Sequence, residues 1–215
     1  MADWNRIQGI ATATSGVTSW NVSFTSPVGN PAVVVGAVLL DTGKTLTSVT
    51  DDKGNSYTVF NSHDDGILYT ASFRSTGLLT NGPQTLTFTP SAATSNEWSV
   101  QDEFSPPTGA SSISTDGATS QFNATGTSFV PFTTSLSDDL VYAVAMSDGS
   151  STHGASFNAG TGDGTARNSE WGIQSAPGSV TMNLAAQATH FWGPAFAVNA
   201  QVSASTITLM AAQLL

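Results

Sequence analysis

The chain has 215 residues, of which 39% are hydrophobic, and this is enough to build a packed core. Charged residues make up only 9%, and fifteen acidic against five basic residues give a net charge of -10. Nucleic acids and anionic membranes attract basic surfaces, so we expect neither as a partner. Cysteine is absent, which excludes disulfides and thiolate metal ligands.

The first residues show no basic segment followed by an apolar one, so we expect no secretory signal. The longest apolar stretches, 31–40 and 207–215, reach about half of the roughly 20 residues that a membrane-spanning helix needs. We therefore expect a soluble chain that is made in a cytoplasm.

Alternation of apolar and polar residues predicts half-buried strands from the start of the chain onward. The first such strand covers 17–24 and contains Trp20. The next, Ala32–Leu40, is continuously apolar and follows a turn signal, which is typical of a strand covered on both faces. Leu140–Met146 has the same character further along the chain. We predict that these two continuous strands lie at the centre of the fold.

Between two alternating runs in 45–60 lies the polar sequence Asp51, Asp52, Lys53, Gly54 and Asn55. A helix-flanked calcium loop starting at Asp51 would need a bidentate Glu at its twelfth position, and a serine stands there. We instead predict a tight turn in which Gly54 and Asn55 have positive φ and aspartates accept hydrogen bonds from backbone amides.

Two further clusters of residues that include acidic ones could have either a functional or a structural role. His63, Asp64 and Asp65 could bind a metal or supply a base, but their composition favours a solvated hairpin tip. Glu97 and Glu103 are the candidate carboxylate pair for a glycosidase. The structural alternative is a strand whose polar residues face outward, namely Glu97, Ser99, Gln101 and Glu103.

No segment combines a helical stripe with a capping box, and turn signals recur every 8 to 12 residues or so. We predict an all-β fold with almost no helix: an antiparallel, jelly-roll-like β-sandwich in one domain, 1–215. The alternative is two small β halves, 1–104 and 127–215, joined by the Ser-, Thr-, Pro- and Gly-rich stretch 105–126.

Trp171 lies in polar surroundings and could stack on a sugar ring. Its neighbours Asn168, Glu170 and Gln174 could then bond sugar hydroxyls. These four residues form a predicted glycan-binding group, with packing at the rim of the sandwich as the alternative.

Both ends of the chain are more apolar than free tails should be. The predicted assembly contacts are Trp4, Ile7, Ile10, Ile207, Leu209, Met210, Leu214 and Leu215. Their alternative role is to form two more strands of the same sandwich.

The sequence TSVTDDKGNSYT (47–58), together with the apolar VVVGAVLL before it and DDLVYAVAM later, resembles a recurrent sandwich module. This module occurs in uncharacterised bacterial surface proteins and in bacteriophage structural proteins. The resemblance implies no catalytic residue, and we expect no cofactor and no metal.

A surface rich in Ser, Thr and Gly without an export signal favours the bacteriophage setting, because virion proteins are made in the host cytoplasm and released by lysis. We therefore expect a non-enzymatic virion component, either a capsid decoration protein or a tail or fibre accessory. Its partners would be other virion proteins or copies of itself. The alternatives are an extracellular carbohydrate-binding module that recognises surface glycans and a jelly-roll glycoside hydrolase.

Overall fold

The computed structural model describes residues 3–186 and 190–202, and every regular element within these ranges is a β-strand. The strands are β1 (Asn5–Thr14), β2 (Trp20–Ser23), β3 (Val33–Asp41), β4 (Leu46–Asp51), β5 (Tyr57–Asp64), β6 (Leu68–Ser75), β7 (Thr85–Pro90), β8 (Glu97–Ser105), β9 (Ala110–Ala124), β10 (Phe132–Thr134), β11 (Asp139–Ser147), β12 (Thr152–His153), β13 (Asn158–Ala159), β14 (Arg167–Gln174), β15 (Gly178–Val180), β16 (Leu184–Ala186) and β17 (Phe191–Val202). All their pairings are antiparallel. The predicted all-β class is confirmed.

The first half of the chain forms a sandwich of two sheets. One sheet has the strand order β1-β8-β3-β6-β5, and the other has the order β2-β7-β4. A core that includes Trp20, Phe73 and Phe88 fills the space between them. This is the strand order of a jelly roll whose fifth strand has joined the larger sheet.

The second half repeats this topology. Its five-stranded sheet has the order β9-β17-β11-β14-β13. These strands occupy the places of β1, β8, β3, β6 and β5, in that order, in the first sheet. The short pairs β10-β15 and β12-β16 stand where β2, β7 and β4 stand in the first half. A second core, which contains Phe129 and Phe191, lies beneath them.

The two five-stranded sheets also pack against each other around a third core. Val34 and Val38 of β3 face the first core, whereas Val35 and Leu39 face this shared core. Residues of β11 alternate in the same way between the shared core and the second one. The prediction that these two strands are covered on both faces is confirmed, and the sheets form four layers.

The stretch 105–126 is not the long connection that its composition indicated. Most of it forms β9, and only 106–109 join β8 to β9. Because β9 is the last strand of its sheet, many of its residues stay partly exposed, and Ser and Thr suit such positions. Ile113 nevertheless reaches the shared core.

Candidate functional site

β1 is an edge strand of its five-stranded sheet. In the described part of the chain β1 pairs with β8 only. Its ten residues contain no proline and one charged residue, Arg6, whose side chain turns inward to Asp102. Ile7 is 56% exposed and lies at a bulge between Arg6 and Gln8. We call the side of β1 that faces away from β8 the β1 edge.

Other sheet edges in the described residues carry features that block pairing. β5 has a bulge between Phe60 and His63, and within it the side-chain Nδ2 of Asn61 donates to the Thr119 carbonyl of β9. β9 contains Asp116, which accepts hydrogen bonds from the backbone amides of 135 and 136. β13 has only two residues. β9 is longer than β1, but its pairing with β17 has three register shifts. β1 has one, at Ile7, so Gln8–Thr14 is an uninterrupted edge.

A groove of about 690 Å³ lies beside the β1 edge. Ile7 and Gln8 form one wall, and Glu103 together with residues from 26–31 and 105–110 contributes the others. Four prolines line it: Pro27, Pro31, Pro106 and Pro107. A proline-lined groove with both apolar and polar residues thus continues the surface of the open edge.

A buried polar network joins the two halves around Asp102. One carboxylate oxygen accepts from Arg6 Nη2 at 2.7 Å and from the Thr161 hydroxyl at 2.5 Å. The other accepts from the hydroxyls of Tyr142 at 2.7 Å and Ser169 at 2.5 Å. Burial, and then the charge of Asp102, raise the pKa of Tyr142 far above its ordinary value. The donors to Asp102 within the described residues thus come from β1 and from three positions in the second half.

Sequence reasoning missed this network, although one signal for it was present. Arg6 is the only charged residue within β1. A lone charge in such a strand often has a partner inside the protein. The partner could not be identified because Asp102 is 96 residues further along the chain.

The predicted outward polar face of β8 is wrong. Its members are all buried: Glu97, Ser99, Gln101 and Glu103. The first sandwich covers this face, since Trp20 of β2 contacts the Ser99 hydroxyl and the Gly29 amide donates to Glu103 at 2.6 Å. Single-strand alternation could not reveal that both faces of β8 are covered.

The two candidate glycosidase carboxylates are far apart. Glu97 and Glu103 are six residues apart on one strand, which corresponds to about 20 Å. Retaining and inverting glycosidases hold their carboxyl groups roughly 5 to 9.5 Å apart. Glu97 accepts from the Val17 amide, and Glu103 accepts from Gln8 and Gly29. This geometry does not form a catalytic pair.

The predicted glycan-binding residues lie on both faces of β14. Trp171 points into the shared core, where its ring meets Phe104 edge-on at 5.4 Å. Asn168 and Glu170 alternate with it, and both are buried. Gln174 is half-buried. The structure does not bring these four residues together on one surface.

The predicted assembly residues have three different placements. Trp4 is buried in the shared core and donates from Nε1 to the Asp138 carbonyl, so it is an internal contact. Ile10 packs partly against the first core. Ile7 is exposed at the β1 edge. The remaining residues lie outside the described part of the chain: Ile207, Leu209, Met210, Leu214 and Leu215.

The acidic sequence 51–55 forms the predicted turn. Asp51 accepts from the Lys53 amide at 2.9 Å, the Asn55 amide at 3.0 Å and the Tyr57 hydroxyl at 2.8 Å. Gly54 has a φ of 80°, as predicted, whereas Asn55 is not among the residues with positive φ. The hydrogen bonds of the Asp51 side chain thus stabilise this turn.

The cluster at His63–Asp65 leads into the hairpin turn between β5 and β6. Asp64 accepts from the amides of Gly43 and Gly66, and Asp65 accepts from those of Ile67 and Leu68. The prediction of a hairpin tip is confirmed.

Two buried carboxyl groups have raised pKa values. Burial raises the pKa of Glu170 to about 7, although the Gly154 amide donates to it at 2.8 Å and lowers it in part. Burial, and to a lesser degree the charges of Asp116 and Asp138, raise the pKa of Asp139 to about 7. The two groups lie in the second half, in β14 and at the start of β11.

Within the described residues, no three or more His, Asp or Glu side chains are grouped so that they could hold a metal ion. The same part of the chain contains no helix that is long and apolar enough to cross a membrane. Comparison with family models, with curated proteins and with solved structures found no match.

Proposed function

We propose that the chain is a non-enzymatic structural component of a bacteriophage virion. It would act as a capsid decoration protein or as a tail or fibre accessory, through contacts with other virion proteins or with copies of itself. The observation that carries this proposal is the duplicated jelly roll, a fold used both in viral capsids and in lectins.

The bonding of the acidic residues supports a structural role over an enzymatic one. Asp102, Glu103 and Asp51 each accept hydrogen bonds from groups of the fold itself. A catalytic acid or base needs a side chain that can reach a substrate. Asp102 instead stabilises the packing between the sheets, Glu103 stabilises the loop at Gly29, and Asp51 stabilises the turn 51–55.

The placement of the aromatic residues supports the capsid use of this fold over the lectin use. A lectin stacks sugar rings on exposed aromatic faces, with polar groups alongside. Trp171 packs against Phe104, and its Nε1 donates to the Ala159 carbonyl. The resemblance of 47–58 to modules of bacteriophage structural proteins favours the same conclusion.

Immunogold electron microscopy can test the proposal. Antibodies against the purified protein would be applied to phage particles that have been purified from lysates by density gradient. We expect gold at a fixed position on the particles, on the capsid surface or along the tail. Label confined to bacterial surfaces, or protein found only in the unassembled fraction of the lysate, would refute a virion role.

A further inference from the structure

We propose that the β1 edge is the surface through which two copies of the chain associate. β1 of one copy would pair antiparallel with β1 of the other, which would join two five-stranded sheets across a two-fold axis. The inference deepens the proposed function by naming a contact surface, but its test uses the purified protein alone.

The backbone of β1 provides the bonding groups. In an antiparallel pair, alternate residues direct N–H and C=O groups away from the partner strand. β1 pairs with β8 over nearly its whole length, from Asn5 to Thr14, so its outer side carries a row of such groups. Exposed strands with this property pair readily with other chains unless charge, proline or a cover prevents it.

The charge pattern favours a second copy at this edge. A net charge of -10 opposes self-association at most surfaces. The stretch Gln8–Thr14, however, contains no charged residue. The nearby carboxylates of Asp102 and Glu103 are buried and hydrogen-bonded inside the protein. Two copies can therefore meet along this stretch with little repulsion.

The charges beyond the strand favour an antiparallel over a parallel arrangement. Asp3 lies just before β1 and is exposed. A parallel pair would place the Asp3 residues of both copies side by side. In an antiparallel pair with Ala11 at the two-fold axis, each Asp3 lies beyond the far end of the partner strand, beside its Ser19, and 7–40 contain no charged residue. The same arrangement brings Ile7 next to the residues that follow the partner's Thr14, which would cover its exposed side chain.

The expected association is weak. One strand pair and one isoleucine on each side bury less than the roughly 1,200 Å² of a standard stable interface. We expect a dimer that dissociates on dilution and strengthens with added salt, since salt screens the repulsion between two acidic bodies. Light scattering at several protein and salt concentrations measures both properties.

Cysteine substitution locates the interface, because the natural chain contains no cysteine. Single variants Ala11→Cys and Ala13→Cys would be oxidised under mild conditions, with Thr47→Cys on β4 as the control. A disulfide forms only where two Cβ atoms approach to about 4 Å. We expect a covalent dimer to form much faster at one β1 position than at the control. Equal rates at all three positions would overturn the proposal.

A charged variant gives an independent test. Ala13 is exposed, so Ala13→Lys should leave the fold intact, as circular dichroism would confirm. Lysine is a residue that blocks edge pairing in natural sheets. We expect this variant to remain monomeric at concentrations where the natural chain and the Thr47→Lys control dimerise. Unchanged dimerisation of Ala13→Lys would refute the role of β1.

The outcomes separate this inference from the proposed function. If the natural chain stays monomeric at every concentration and salt level, the β1 inference fails while labelling of virions can still succeed. If it dimerises through β1 but labels no particle, the virion role fails and the dimer surface stands.

Discussion

Asp102 has the most hydrogen-bonded environment among the buried acidic residues. Its carboxylate contacts Arg6 from β1 and the hydroxyls of Tyr142 and Ser169 from the second half. A buried charge without a partner is very unfavourable, and removing one member of such a pair leaves the other in that state. The network therefore links the stability of β1 to the packing between the halves.

We predict that Asp102→Ala lowers the free energy of unfolding by about 3 to 5 kcal/mol, because Arg6 then loses its buried partner. Denaturant unfolding followed by tryptophan fluorescence measures the change. The matched control is Asp163→Ala, which removes a partly exposed pair with His153 and should cost less than about 1 kcal/mol. A similar, small effect of both substitutions would contradict the central role of Asp102.

Glu170 makes stability depend on pH. Its pKa is about 7 in the folded chain, above the ordinary value of 4.5 that we expect once the chain unfolds, so the folded chain binds more protons between these values. The contribution of Glu170 to stability is full below the lower pKa and is lost as pH rises through the upper one. Asp139 has the same sign, from 3.8 to about 7.

We predict that Glu170→Gln stabilises the chain at about pH 8 by roughly 1 to 3 kcal/mol, because no buried charge forms. The amide oxygen of the glutamine can still accept the Gly154 hydrogen bond. Urea unfolding at about pH 5 and pH 8 should show a smaller loss of stability with rising pH than in the natural chain. A pH dependence that stays the same would contradict the prediction.

Asp64→Asn provides a control of opposite sign. The amides of Gly43 and Gly66 donate to Asp64 and hold its pKa below the ordinary value of 3.8. Its contribution to stability is present above that value and is lost as pH falls through the lowered pKa. The variant should therefore be less stable than the natural chain at neutral pH and should approach it in acid.

At the scale of single elements, the turn 51–55 depends on one side chain. We predict that Asp51→Ala lowers the free energy of unfolding by about 2 kcal/mol, because Tyr57 and two backbone amides lose their acceptor. Thermal unfolding monitors the loss. Calcium should leave the unfolding midpoint of the natural chain unchanged, and a calcium-dependent rise that Asp51→Ala abolishes would show a metal loop instead.

The sequence predicted those elements whose local pattern determines their environment. Continuous apolar runs identified β3 and β11, since such runs require burial on both faces. It failed for β8, where the polar residues from Glu97 to Glu103 are covered by residues distant in sequence. It also failed for β9, because a Ser- and Thr-rich edge strand has the composition of a loop.

The candidate site was predictable only in part. Ile7 was identified from its apolar character near the start of the chain, and it is exposed at the β1 edge. Trp4 has the same character but is buried, because β11 and its neighbours supply a pocket that local sequence does not reveal. The openness of β1 follows from strand order, which depends on pairings between distant segments.

At the scale of the whole molecule, the shared core makes the halves depend on each other. Val35 and Leu39 of the first half pack there with Tyr142 and Met146 of the second. All four side chains are at most 1% exposed. Separation of the halves would expose a large apolar face.

We predict that residues 1–105 produced alone associate or aggregate, because the shared-core face of their larger sheet is uncovered. Size-exclusion chromatography and binding of a hydrophobic dye test this directly, with the full chain as the control. The full chain should unfold in one transition by fluorescence and circular dichroism alike. A soluble, folded monomer of 1–105 would instead show that the first half is an independent domain.

The repeated topology also creates a problem of strand choice during folding. β1 could add to β17 in the second half as well as to β8 in the first, since both occupy the same place in their sheets. Toward the shared core β8 presents Asp102, whereas β17 presents Phe196 and Val198. On β17 the guanidinium of Arg6 would be buried without a carboxylate, at a large cost in free energy. The Arg6–Asp102 pair thus favours β8 over β17 as the partner of β1, although the two five-stranded sheets share one strand order.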